Sequence, residues 1–194
     1  MGTEAMFAVK GKDFVIVAAD QQTTFSVIKM KDDYQKITEV EGKLFAASGP
    51  TADASNFVEF VEKNIRLHTL RTGQRLTTKA AANFTRNELA HSLRKGPYQT
   101  DMIIAGVDED GPQLYIMDYL ASMEKVNKAA HGYGAMFTFG LMDRYWNNDL
   151  NFEQAKDIIK KCIAELETRF VIDLGKYSCK VVDKNGVRTV DLYA

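Results

Sequence analysis

The spacing of apolar residues switches between strand-like and helix-like four times along this chain, and that alternation limits its possible folds more than any single motif does. Residues 5–10 and 14–20 are two apolar runs joined by Gly11-Lys12-Asp13, the pattern of a hairpin. The stretch 21–33 is polar and β-branched, a loop with room for a short strand, and 34–40 and 43–48 form a second strand pair around Glu41-Gly42. From Ala52 the period lengthens: Phe57, Val58, Phe60, Val61 and Ile65 fall at helical spacing until Gly73. A second helix starts at the capping pair Thr77-Thr78 and runs past Leu89 and Leu93 to Gly96-Pro97. Strands return at 100–107 and 112–117 across Asp108-Glu109-Asp110-Gly111, and the β pattern continues at 119–126 and 129–132. Helices follow at 135–146 and 151–169, the second turning Ala155, Ile158, Ile159, Cys162, Ile163 and Leu166 inward. A closing hairpin spans 177–182 and 187–192 around Asn185-Gly186, a strong short-range turn signal. Two stacked sheets with one helix pair on each outer face would bury every one of these apolar surfaces, so an α+β, four-layer αββα sandwich is predicted.

With 194 residues, 45% of them hydrophobic, the chain is long enough for one substantial core, and residues 1–194 are expected to form one domain. The 25 basic and 26 acidic residues nearly cancel, which gives no electrostatic reason to expect nucleic acid or a membrane surface as a partner. No apolar run approaches a membrane span, and the amino terminus lacks the pattern of a signal peptide. Met6 stands where a myristoylation motif wants Ser or Thr. Cys162 and Cys179 read as buried small hydrophobes rather than redox partners. His68, His91 and His131 have no metal-ligand spacing, so neither a metal nor a cofactor is expected. Asn83-Phe84-Thr85 matches a glycosylation sequon but lies inside a predicted helix, where a chance match is the better account. Asp32-Asp33 and Asp108-Glu109-Asp110 read as solvated turns, and the aromatics Tyr115, Tyr119, Tyr133, Phe137, Phe139, Tyr145 and Trp146 as core or subunit interface.

The residues that carry chemistry lie at the ends of apolar strands. The run Phe14-Val15-Ile16-Val17-Ala18-Ala19 delivers Asp20, Lys36 follows, and Leu44-Phe45-Ala46-Ala47 delivers Ser48-Gly49. Together with Ala130-His131-Gly132-Tyr133-Gly134 and Asp183-Lys184-Asn185-Gly186, this pattern resembles the β-type subunits of the 20S proteasome over nearly the whole chain. Met30-Lys31-Asp32-Asp33, Ala81-Ala82-Asn83-Phe84-Thr85-Arg86, Tyr115-Ile116-Met117-Asp118-Tyr119-Leu120 and His131-Gly132-Tyr133-Gly134-Ala135 are similar to the non-catalytic beta-4 kind in particular.

The resemblance implies the N-terminal nucleophile hydrolase type of fold and a specific site. In active members a mature amino-terminal Thr attacks the peptide carbonyl with help from its own α-amine. A Lys makes the nucleophile easier to form, an Asp orients that Lys, and a Gly amide forms the oxyanion hole. Carried over by motif, these are Asp20, Lys36 and Gly49. Counting back sixteen residues from Asp20 puts Glu4 in the nucleophile slot. The supporting Ser corresponds to Tyr133, and the later supporting segment reads Phe170-Val171-Ile172-Asp173. Such a frame is vestigial, with Asp20 and Lys36 kept as an ion pair, partly buried at the sheet edge, that holds the strand–loop geometry. The alternative is an active threonine-type endopeptidase that slides Thr3 into place through a one-residue bulge, but a register slip in β1 would flip every side chain to the other face. By resemblance the chain is a structural subunit of the core particle, acting in ubiquitin-dependent protein degradation in cytoplasm and nucleus. Its expected partners are two β-ring neighbours, the opposite β ring, contacted mainly through 135–146 and 151–169, and the α ring. A homomeric chamber of the bacterial kind is the third class.

Overall fold

The computed structural model describes residues 4–25 and 28–193. Its elements are β1 (Ala5–Lys10), β2 (Phe14–Asp20), β3 (Thr23–Phe25), β4 (Ile28–Lys31), β5 (Ile37–Val40), β6 (Lys43–Ser48), α1 (Thr51–Thr72), α2 (Thr78–Ser92), β7 (Asp101–Asp108), β8 (Gly111–Met117), β9 (Met123–Lys125), β10 (Lys128–Gly132), α3 (Gly134–Tyr145), α4 (Phe152–Arg169), β11 (Tyr177–Asp183) and β12 (Gly186–Thr189). They assemble into two five-stranded sheets, ordered β10-β1-β2-β11-β12 and β5-β6-β7-β8-β9, with β3 and β4 forming a separate ribbon.

Strand pleating explains the layers. In β1, Ala5, Phe7 and Val9 point into a cluster with α3 and α4, including Ile159, Cys162 and Leu166. Met6 and Ala8 point the other way, into a cluster shared with Leu44, Ala46, Ile103 and Ala105 of the facing sheet. Phe45 and Ala47 of β6 and Met102 and Ile104 of β7 then pack beneath Phe57, Val61, Ile65 and Leu89 of α1 and α2. Because these sheets are covered on both faces, their central strands are continuous apolar runs rather than alternating ones. Each large side chain buried this way is worth roughly 1.5–3 kcal/mol against exposure. The predicted helix–sheet–sheet–helix order is the order found.

Local chemistry sets the element ends. Thr77 caps α2 by accepting from Ala80 N at 3.2 Å. Asn151 and Gln154 form a reciprocal capping box that starts α4. The Trp146 indole at the end of α3 donates to the Lys10 carbonyl at 2.8 Å, tying that helix to β1.

Several sequence expectations need correction. The stretch 21–33 holds two paired strands, not a loop with one. The strand expected over 34–40 begins only at Ile37. Residues 119–122 form a turn rather than the start of a strand, because Asp118 Oδ1 accepts from Leu120 N and Ser122 N at 3.0 and 2.8 Å. The last strand stops at Thr189, short of the expected 192. Asp108 is not a solvated turn residue: it accepts from Thr78 N at 2.8 Å and Thr78 Oγ1 at 3.0 Å, fastening α2 to the sheet.

Candidate functional site

β2 is the central strand of its sheet, flanked by β1 and β11, and it ends in Asp20. The Asp20 side chain is 1% exposed. Its Oδ1 accepts from Ala5 N at 2.8 Å, and its Oδ2 from Gln22 N at 3.1 Å and Lys36 Nζ at 2.8 Å. Lys36 precedes β5, and its side chain is 2% exposed. The ion pair expected at a sheet edge, partly buried, is therefore fully buried and stands at the end of a central strand.

Lys36 has a second carboxylate. Glu4, the residue before β1, places Oε1 2.8 Å from Lys36 Nζ and Oε2 2.7 Å from the Gly49 amide, which donates to it. One carboxylate thus bridges the ammonium and the backbone donor that the resemblance assigns to lysine and oxyanion-hole roles. Two acids share one base here, and the Gly49 N–H supplies part of the missing positive charge. Counting along the sequence located Glu4 but not its two bonds; an acid opposite a Lys and a bare amide was the signal available.

Two glycines fix this geometry. Gly49 has φ +126°, and a Cβ there would lie 2.1 Å from the Gln99 carbonyl oxygen, so only glycine lets its N–H face Glu4 without moving β7's approach. Gly132, at φ +77°, would put a Cβ 2.1 Å from the Glu4 carbonyl oxygen. It lies opposite Ala5 in the β1–β10 register and clamps the start of β1.

Tyr133 and Phe170 are placed elsewhere. They stack on each other with ring centroids 6.1 Å apart, and Phe170 also meets Phe137 at 5.8 Å. Phe170 packs beside α3 and α4 while Tyr133 stays partly exposed, and neither lines the cavities around Glu4. The Asp173 carboxylate accepts from Gly175 N at 2.8 Å. Thr3 lies outside the described residues.

Three cavities, of about 150, 310 and 510 Å³, border Glu4. The largest is bordered by Ser48, Gly49, Asp101, Tyr119 and His131 as well. Sequence reasoning missed His131 and Asp101 as a pair, since they come from β10 and β7, which belong to different sheets. His131 Nδ1 is 3.9 Å from Asp101 Oδ2, and its Nε2 is buried without a hydrogen-bond partner among the described residues. Burial pushes the His131 pKa below its ordinary value, with the Asp101 and Asp118 charges opposing that shift. A histidine held neutral in the fold but free to protonate when unfolded costs stability on the acid side only. Stability should therefore hold above about pH 6.5 and fall as pH drops below it, because the unfolded chain takes up the proton first. His131→Gln should flatten that part of a plot of urea midpoint against pH; an unchanged slope would refute it.

The cysteines are inert by environment: burial pushes both Cys162 and Cys179 up to about 12. Among the described residues no three His, Cys, Asp or Glu side chains are grouped to hold a metal ion. No helix among them is long and apolar enough to cross a membrane.

The family of proteasome subunits matches residues 1–182. Proteasome subunit beta type-2-A of Arabidopsis thaliana is 44% identical over 187 residues, covering 95% of this chain and 92% of the relative. Proteasome subunit beta type-2 of Dictyostelium discoideum is 42% identical over 196 residues, covering 98% of each. Proteasome subunit beta type-4 of Saccharomyces cerevisiae is 33% identical over 192 residues, covering 97% of each. A match of this extent, joined to two covered sheets and the Asp20–Lys36–Gly49 frame at their end, has one reading: the chain belongs to the proteasome subunit family.

Proposed function

We propose that this chain is a non-catalytic structural β subunit of the 20S proteasome core. It completes a β ring and adds wall to the chamber where other subunits cut peptide bonds during ubiquitin-dependent degradation in cytoplasm and nucleus. The whole of 1–194 acts as one domain in this role. The observation that carries the reading is the Glu4 carboxylate, bonded at once to Lys36 Nζ and Gly49 N. A threonine mechanism needs the ammonium free to assist an attacking hydroxyl and the amide free to meet the developing oxyanion. Glu4 engages both, and it brings an acceptor-only group where a nucleophilic hydroxyl and a free α-amine are required.

Its partners are two β neighbours, the opposite β ring and the α ring. Met136 and Phe139, neighbours at i and i+3, stand exposed on α3, which gives that face apolar surface to bury against a second ring. An affinity-tagged chain should co-purify with α-type and other β-type subunits in one particle; recovery as a homomer would favour a self-assembled chamber instead.

Activity supplies the second test. Glu4→Thr alone should yield no new peptide turnover in the assembled particle, because the first residues of the chain would still have to be cleaved to free an α-amine. Turnover gained by that single variant, or a threonine-directed electrophile attached to Thr3 of the native chain, would overturn the reading.

A further inference from the structure

Glu4 is held the way a bound anion is held. Its two oxygens meet a buried ammonium at 2.8 Å and a backbone N–H at 2.7 Å, while its own side chain remains 17% exposed. Lys36 and Gly49 each have a support besides Glu4. Lys36 is also fixed by Asp20 at 2.8 Å, and Gly49 is fixed by its positive φ against the Gln99 carbonyl. A further polar group stands alongside: Ser48, 3% exposed, has a buried Oγ with no hydrogen-bond partner among the described residues. Ser48 and Gly49 border the same 510 Å³ cavity as Glu4. That cavity gives a small solute a route to Ser48 and the Gly49 amide, and the 150 Å³ cavity, bordered by Glu4, Lys36 and Gly49, reaches the ammonium from another side.

We propose that Lys36, the Gly49 amide and Ser48 form a carboxylate-binding site that Glu4 occupies in cis. The native chain is thereby closed to outside carboxylates, including the new carboxyl ends of peptides cut nearby. Without the Glu4 carboxylate, the site takes up a free one. This inference rests on the reading of Glu4 as the occupant of the nucleophile slot, and it adds the ligand class. Attraction arises because the empty site would be a buried Lys36 facing only one acid, beside an unsatisfied amide. Lys36 would keep its Asp20 contact, but an unpaired amide is costly, and a carboxylate adds a charge-assisted contact to each donor. A carboxylate matches the pair because its two oxygens reach both donors together, as those of Glu4 do. Acetate is small enough for a cavity of this volume.

The test uses the assembled particle carrying Glu4→Ala and the methyl signal of acetate in saturation-transfer difference NMR. The variant should show acetate binding, with acetamide, the neutral analogue, giving none. Wild type should show none from this site. Adding Lys36→Met to Glu4→Ala should weaken the acetate signal per incorporated chain roughly tenfold, the loss of one charge-assisted contact. Equal signals from wild type and Glu4→Ala, or from acetate and acetamide, would overturn the proposal. If Glu4→Ala assembles only when acetate is supplied, that rescue supports it. Failure to assemble at any acetate concentration refutes it, since a free anion would then be unable to replace the lost one. Failure of the non-catalytic reading would show separately, as turnover or an adduct at Thr3.

Discussion

Lys36→Ala is expected to lower incorporation of this chain into its particle sharply while leaving every peptidase activity of an assembled particle intact. The ammonium lies between Asp20 Oδ2 and Glu4 Oε1, both at 2.8 Å, and its side chain is 2% exposed. Removing it leaves two acids facing a void. Breaking a buried pair from one side costs roughly 3–5 kcal/mol, because the remaining charge is left without its partner. Asp20 bears most of that loss: it keeps two backbone donors, Ala5 N and Gln22 N, but water cannot reach it at 1% exposure. Glu4 is exposed enough to recover some hydration. The cost is a large share of the roughly 5–15 kcal/mol that holds a domain folded. Lys36→Met separates charge from volume, since it refills the space without the ammonium. It should remain nearly as defective as Lys36→Ala, and adding Glu4→Gln should recover part of the loss in either variant. The measurement is the fraction of tagged chain recovered in the particle, with thermal denaturation of what assembles. Normal incorporation of Lys36→Ala, or loss of one cleavage activity from an intact particle, would contradict this account.

Gly49→Ala is the second change with a large expected effect. At φ +126° an L-residue is strained by about 1–3 kcal/mol before any contact is counted. The new Cβ would then lie 2.1 Å from the Gln99 carbonyl oxygen, which is backbone and cannot rotate away. Either the turn after β6 or the segment before β7 must move. Both responses pull the Gly49 amide off Glu4, and the Thr100 Oγ1 bond to the Ser48 carbonyl, 3.1 Å long, lies in the same place. Gly42→Ala makes the comparison: it too has positive φ, +78°, but none of the described residues lies within 4 Å of the added carbon. The excess destabilisation of Gly49→Ala over Gly42→Ala therefore reports the collision together with the extra strain of φ +126° over +78°. Equal denaturation midpoints for the two variants would show that the close approach to Gln99 carries no energetic weight.

These two expectations come from different levels of the chain, and so did their legibility. Asp20 and Gly49 could be found along the sequence because each ends or follows an apolar run, where side chains leave the core. Lys36, which follows a polar stretch, is picked out by the resemblance to proteasome β subunits. The four-layer order was equally open to reading. Alternation of period-two and helical spacing says which surfaces must be covered, and few arrangements cover them all. Asp108 was misread because its partner, Thr78, sits thirty residues earlier on α2 and nothing in the turn motif points there. The same holds for His131 with Asp101, which meet only because two sheets stack. Tyr133 and Phe170 lie where a helix start and a helix end meet, a contact that no spacing rule reaches.

By itself, then, the order of residues determined which groups would be available: an acid and an amide at the ends of apolar strands, a base between them, and a carboxylate ahead of the first strand. Tertiary structure alone decided how they are joined. Hydrophobic patterning is periodic and survives in one dimension, whereas a hydrogen bond depends on positions to a few tenths of an ångström. Whether Glu4 would face solvent or lie between Lys36 and Gly49 was settled by the clamp of Gly132 on its backbone and by the stacking of two sheets, and neither is written in any local stretch of sequence.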